Sequence, residues 1–137
     1  MSEAGRRGDE GSMAVEVVLL VPALLMVMLL VVAFGRYTTA EGDVQAAARE
    51  AVRAATLQRD EASALAAAQR AADAVLPDTL TCRPVVLSGE FAAGRTLSVE
   101  VSCDVSWSNL GLIGLRGVAS VSGQSTAPLD TYRRTGL

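Results

Sequence analysis

The sequence predicts an α+β protein. A long N-terminal transmembrane helix continues into an Ala-rich helical region, and a small antiparallel three-stranded sheet with one disulfide follows. Three observations carry this. Val17 to Phe34 is an apolar run of 18 residues with no charged or polar side chain. After it, small apolar residues recur at three- and four-residue steps. From Thr79 the period drops to two, and both cysteines fall in that region.

At 1.5 Å per residue the apolar run spans about 27 Å, close to the hydrocarbon thickness of a bilayer. A secretory signal has a shorter apolar core, ending in a small-x-small site. This run ends in Ala33-Phe34-Gly35-Arg36, which is a poor site, so we read a retained membrane helix. Pro22 falls in its first turns, lacks an N–H and is expected to kink it. Arg6 and Arg7 precede the span, and Arg36, Arg49 and Arg53 follow it. The basic count does not decide the orientation. The short N-terminal tail and the cysteine pair favour a cytoplasmic N-terminus and a C-terminal domain outside.

Val44, Ala47, Ala48, Ala51, Val52 and Ala55 form a narrow apolar stripe on a helix. The run Gln58-Arg59-Asp60-Glu61 is polar, so a break at 57–61 is left open. Asp60 is placed to cap a second helix, Glu61 to Leu76, with Leu65, Ala68, Ala72 and Val75 inward and Pro77 at its end. Leu97, Val99, Val101, Cys103, Val105 and Trp107 alternate with Ser98, Glu100, Ser102, Asp104 and Ser106, a strand with one buried face. An earlier strand, Thr81 to Ser88, carries Cys82 and pairs with it as a hairpin. Pro84 puts that strand at an edge or makes it irregular. Asn109 to Gly117 reads as a packed loop, Val118 to Thr126 as a third strand, and Asp130 to Arg134 as a polar tail.

Large core side chains are scarce, so the soluble part needs reinforcement. Beyond a membrane span an oxidising compartment is plausible, and a Cys82–Cys103 disulfide is favoured over two buried thiols. In the chain-entropy model it stabilises by roughly 3 kcal/mol.

Composition narrows the function classes. All 12 basic residues are Arg, and the net charge of −3 does not suggest nucleic-acid binding. There is no His. With no nucleophile motif, no phosphate-cradling loop and no carboxylates at metal spacing, an enzyme is not expected, nor is a cofactor or a metal site.

Glu16 is the odd residue. At helix-centre depth a carboxylate costs about 2.5–3.5 kcal/mol to insert, and less near the interface. By itself it reads as an interfacial acid near the positive end of the helix dipole. Yet Gly11 and Ser12 precede it, and Glu16 is the fifth residue counted from Ser12. A short charged leader, Gly, four residues, Glu and a long apolar run together resemble the processing site of type IV prepilins and pseudopilins. The opening Gly11-Ser-Met-Ala-Val-Glu-Val-Val-Leu-Leu-Val-Pro22-Ala-Leu-Leu is similar to that of TadE-like proteins, minor pseudopilins of tight-adherence (Flp, type IVb) pilus systems. The likeness in layout extends through Phe34-Gly35-Arg36, the Ala-rich segment Ala46 to Ala55, the two cysteines, and Ala127-Pro128-Leu129-Asp130-Thr131-Tyr132-Arg133. Val17 departs from it, since the family usually has Phe after the Glu. TadF-like pseudopilins share the N-terminal features.

The resemblance implies four segments: a cleaved leader at 1–11, a transmembrane helix at 12–35, a helical stalk at 36–76, and an extracytoplasmic head at 77–137. It implies cleavage after Gly11 by a prepilin peptidase, and an assembly or anchoring role in a Tad/Flp-type pilus. The implied partners are that peptidase, a major Flp-type pilin, a TadF-like pseudopilin, inner-membrane platform proteins and the bilayer. Incorporation into a surface pilus is implied too. The competing reading is an uncleaved, membrane-anchored binding or sensor domain outside the cell.

Overall fold

The computed structural model describes residues 9–106 and 117–132. The chain divides into two compact units, Met1–Arg36 and Tyr37–Leu137. Six elements follow in order: α1 (Asp9–Thr56), α2 (Glu61–Val75), β1 (Leu80–Cys82), β2 (Val86–Gly89), β3 (Thr96–Ser106) and β4 (Val118–Pro128).

In the first unit, residues 9–36 are helical throughout, and the run includes Pro22. Without an N–H at Pro22, the carbonyl of Val18 lacks its usual donor four residues on. Every residue from Met13 to Met28 is exposed, the large apolar ones included. The helix is long and apolar enough to cross a membrane.

In the second unit, two helical segments cover one face of a sheet. The sequence-expected stripe on α1 is buried at every position: Val44, Ala47, Ala48, Ala51, Val52 and Ala55. The chain leaves α1 at Thr56 and restarts at Glu61, so the helix is broken at 57–60. Asp60 caps α2 from an extended backbone conformation, and its carboxylate accepts from the Ser63 N–H. On α2 the buried set is Ala64, Ala67, Ala68 and Ala72. This corrects the inward placement of Leu65 and Val75, which are 43% and 38% exposed. Only the small side chains fit the close approach, and the two larger ones stand at the margin.

The sheet has four strands, not three. Pro84 accounts for the difference. It cannot donate to a ladder, and it splits the expected 81–88 strand into β1 and β2. Both pieces pair antiparallel with β3 on the same side, through Leu80↔Val105 to Cys82↔Cys103 and Val86↔Glu100 to Gly89↔Leu97. Gly89 opens the return to β3 at φ +108°, and a Cβ there would meet the Thr96 carbonyl oxygen at 2.5 Å. Strand β4 pairs with β3 along its whole length, from Thr96↔Pro128 to Ser106↔Val118. It extends two residues past the expected end at Thr126. The expected loop at 109–117 lies outside the described residues except for Gly117; Trp107 and the tail beyond Tyr132 lie outside them too.

The alternation on β3 holds. Leu97, Val99, Val101 and Cys103 are buried. They pack with the Ala stripe of α1, the alanines of α2, Val85, Val121 and Leu129 in one core. The largest fully buried side chains are only Leu97, Val44, Val99, Val101 and Cys103, so little apolar area is available per residue. A disulfide joins Cys82 to Cys103 across directly opposed positions of β1 and β3. Two contacts tighten the layers. A Cβ on Gly123 would lie 2.9 Å from the Val44 carbonyl oxygen, so β4 meets α1 backbone to backbone. Gln69 on α2 accepts the Val85 N–H at 2.8 Å, which satisfies a donor in the connection that Pro84 breaks.

Candidate functional site

The sequence singles out Gly11, Ser12, Glu16 and Pro22, and all four lie on the first unit's part of α1. Among the described residues α1 runs from Asp9, and the Gly11–Ser12 peptide lies within it. Nothing among the described residues, beyond the helix's own nearby backbone, lies within 4 Å of a Cβ built on Gly11.

Ser12 and Glu16 are four residues apart on one helix, which places them on the same face one turn from each other. Both are exposed. Between Gly11 and Arg36 Glu16 is the sole ionisable side chain. The surface around it is Met13, Val15, Val17, Leu19 and Leu20, each more than half exposed. A lone carboxylate on so apolar a helix has a strong electrostatic demand for a cation once water is removed.

A free α-amine on Ser12 would carry a reference pKa of about 7.7–8.0 and be largely protonated at neutral pH. Its position in the first turn puts it one turn from Glu16 in the same chain, and within reach of a neighbouring chain's Glu16 if two helices pack in a suitable stagger. Among the described residues no group of three or more His, Cys, Asp or Glu side chains is placed to hold a metal ion.

The cysteines occupy a different place. They are a structural element of the sheet in the second unit. Two features of that unit escape sequence reasoning. Gln69 carries no pattern signal, because a glutamine on an exposed helix face is ordinary. Gly123 does carry one: an isolated glycine inside a strand marks close backbone approach.

Residues 11–53 match the family model of TadE-like proteins. The match begins at Gly11 and takes in Ser12, Glu16, Pro22, the apolar run and most of the buried alanine stripe. That segment is less than half of the chain, and over it the chain is similar to TadE-like proteins. No curated protein and no solved structure matches the chain.

Proposed function

We propose that this chain is a pseudopilin, processed by a prepilin peptidase after Gly11 and taking part in the assembly or anchoring of a Tad/Flp-type pilus. The carrying observation is the lone carboxylate of Glu16, one turn after Ser12, at the start of an exposed apolar helix within the TadE-like segment. In the membrane that carboxylate stands near the interface. Cleavage removes the leader and creates a cation at Ser12. The new amine neutralises Glu16, in its own chain or in a neighbour, and sets the stagger at which helices pack.

The apolar helix then has two environments of similar polarity, lipid and other pilin helices. Transfer between them needs no unfolding and exposes no apolar surface to water. The packing partners are a major Flp-type pilin and a TadF-like pseudopilin, delivered by inner-membrane platform proteins. The N-terminus faces the cytoplasm, where the peptidase acts, and the second unit lies outside.

N-terminal sequencing and intact mass of the protein from native membranes test this reading. The expected chain begins at Ser12. A chain that retains residues 1–11 in cells with an active prepilin peptidase is instead an uncleaved, membrane-anchored module, and the pseudopilin reading fails.

A further inference from the structure

The two sulfurs of the disulfide are held by unequal means. Cys103 lies inside β3, a strand that pairs with β4 along its whole length, and Val121 stands opposite it there. Its side chain is 1% exposed, in the same core as Leu97, Val99 and Val101. None of these contacts needs the disulfide. Cys82 ends β1, a strand of three residues that pairs with β3 alone among the described residues. No residue of β1 is fully buried, and Cys82 is itself partly exposed. Leu80 and Cys82 pack against the core without being enclosed by it.

Little else fixes this corner. Beyond the disulfide and the short ladder, the Arg83 N–H donates to the Ser102 carbonyl at 2.9 Å, and the Arg83 side chain pairs with Asp104 at 3.5 Å. An ion pair open to water holds a strand weakly. An element with so little buried area opens before the core does. Breaking the disulfide therefore frees β1 and leaves Cys103 in place on β3.

We infer that this disulfide is made and broken through Cys82, which meets an external disulfide or thiol, while Cys103 is the resolving thiol. Thiol–disulfide exchange requires a thiolate to reach the sulfur it attacks, so access decides which cysteine reacts first. In the closing direction the Cys82 thiolate attacks an external disulfide. A bond forms between Cys82 Sγ and one external sulfur, and the other leaves as a thiolate. Strand β1 then pairs with β3, which brings Cys82 opposite Cys103. The Cys103 thiolate attacks Cys82 Sγ, and the second external thiolate leaves. Both cysteines are oxidised, and the external disulfide is reduced to its two thiols. Opening runs the same steps in reverse: an external thiolate attacks Cys82 Sγ, Cys103 leaves and takes up a proton, and a second external thiol releases Cys82.

A labelling pulse on the full-length protein in detergent tests this. The protein is reduced with a phosphine, moved to thiol-free buffer and given a brief pulse of substoichiometric maleimide, and the label is located by peptide mass spectrometry. Cys82 is expected to carry at least about tenfold more label than Cys103, and the ratio is expected to fall to near one in denaturant. Hydrogen exchange on the reduced protein should be faster at the β1 amides, with protection of β3 and β4 retained. When reoxidation by an aromatic disulfide is stopped with acid, the mixed disulfide is expected on Cys82. Equal labelling of the two cysteines without denaturant overturns the inference, as does an excess on Cys103. Loss of β3 and β4 protection on reduction overturns it too, and so does a mixed disulfide caught on Cys103.

Discussion

At the scale of single residues, Glu16 and Gly123 answer to opposite demands. Glu16 is a charge where the surroundings are apolar, and in the proposed assembly the Ser12 amine is the cation that meets it. Its replacement therefore separates insertion from assembly. Glu16→Ala makes the helix more apolar and should leave membrane insertion intact, while filament assembly falls strongly. Measured by membrane fractionation beside filament yield, unchanged assembly would contradict the pairing. Gly11 gives the companion result. A bulky side chain such as Gly11→Trp should block processing, and Gly11→Ala should largely retain it. Gly123 is the reverse case, an absence that the packing needs. The Val44 carbonyl oxygen is 2.9 Å from where a Cβ would stand, and it is backbone in a helix. It cannot turn aside as a side chain can. Gly123→Ala should force α1 and β4 apart and destabilise the second unit by about 1–3 kcal/mol. Denaturant unfolding of the full-length protein would read this, and an unaltered midpoint would show that the layers are looser than the contact implies.

At the scale of elements, the disulfide and the α2 cap hold what the small core does not. Cys82 and Cys103 are 21 residues apart in sequence and directly opposed on β1 and β3. Strand β1 has just three residues, so without the bond its pairing rests on a short ladder. Reduction should cost roughly 3 kcal/mol in the chain-entropy model, and lower Tm by on the order of 10–20 °C for a unit of this size. A Tm indifferent to reductant would show that the alanine-rich core suffices. The cap is a smaller effect with a defined pH dependence. The Asp60 carboxyl is held below its ordinary value of 3.8, first by the Ser63 backbone N–H and then by the Ser63 hydroxyl. A depressed carboxylate pKa gives stability that is present above the unfolded value and lost as pH falls through the folded one. Asp60→Asn should therefore be less stable than the parent at neutral pH, and the difference should close as pH drops below about 4. A gap that persists at lower pH would place the effect in hydrogen bonding rather than charge.

What is legible in the sequence divides along the same line. Periodicity exposes the stripe of α1 and the alternation of β3, because one buried face imposes a period wherever it occurs. Asp60 and Pro77 mark the ends of α2 by mechanism, as a cap and a helix terminator. Leu65 misleads because size is a poor guide to burial here: the close approach of α2 selects Ala64 and Ala67. Pro84 reads as an edge or an irregularity and is both; the fourth strand follows from it. Gln69 is not legible, since its partner is a backbone N–H sixteen residues away. The segment at Gly11–Glu16 is legible because charge on an apolar helix is rare enough to need a reason. The cation proposed to meet that carboxylate lies in another chain or in a cleaved form of this one, which neither sequence periodicity nor a single chain's fold displays.

At the scale of the whole molecule, the disulfide and the membrane helix make a joint claim about sidedness. Disulfides persist in oxidising compartments and are rare in the cytosol, where thiols are kept reduced. A peptidase that cuts after Gly11 acts on the cytoplasmic side, so the proposed processing puts the N-terminus there and the second unit across the bilayer. The two cysteines then report on topology without any added tag. When cells are quenched in acid and the protein is then denatured at neutral pH with a bulky maleimide, it should be unmodified, and it should take up two labels when reduction precedes labelling. Cells deficient in extracytoplasmic thiol oxidation should yield the doubly labelled form directly, with a lower steady-state amount, because loss of roughly 3 kcal/mol raises the unfolded fraction on which proteases act. If both thiols are free in normal cells and the chain nevertheless begins at Ser12, processing and export are uncoupled: the helix is cut but the second unit stays inside. That outcome would retain the pseudopilin's leader and remove its place in a surface filament, which makes the thiol state in intact cells the sharper test of assembly than cleavage alone.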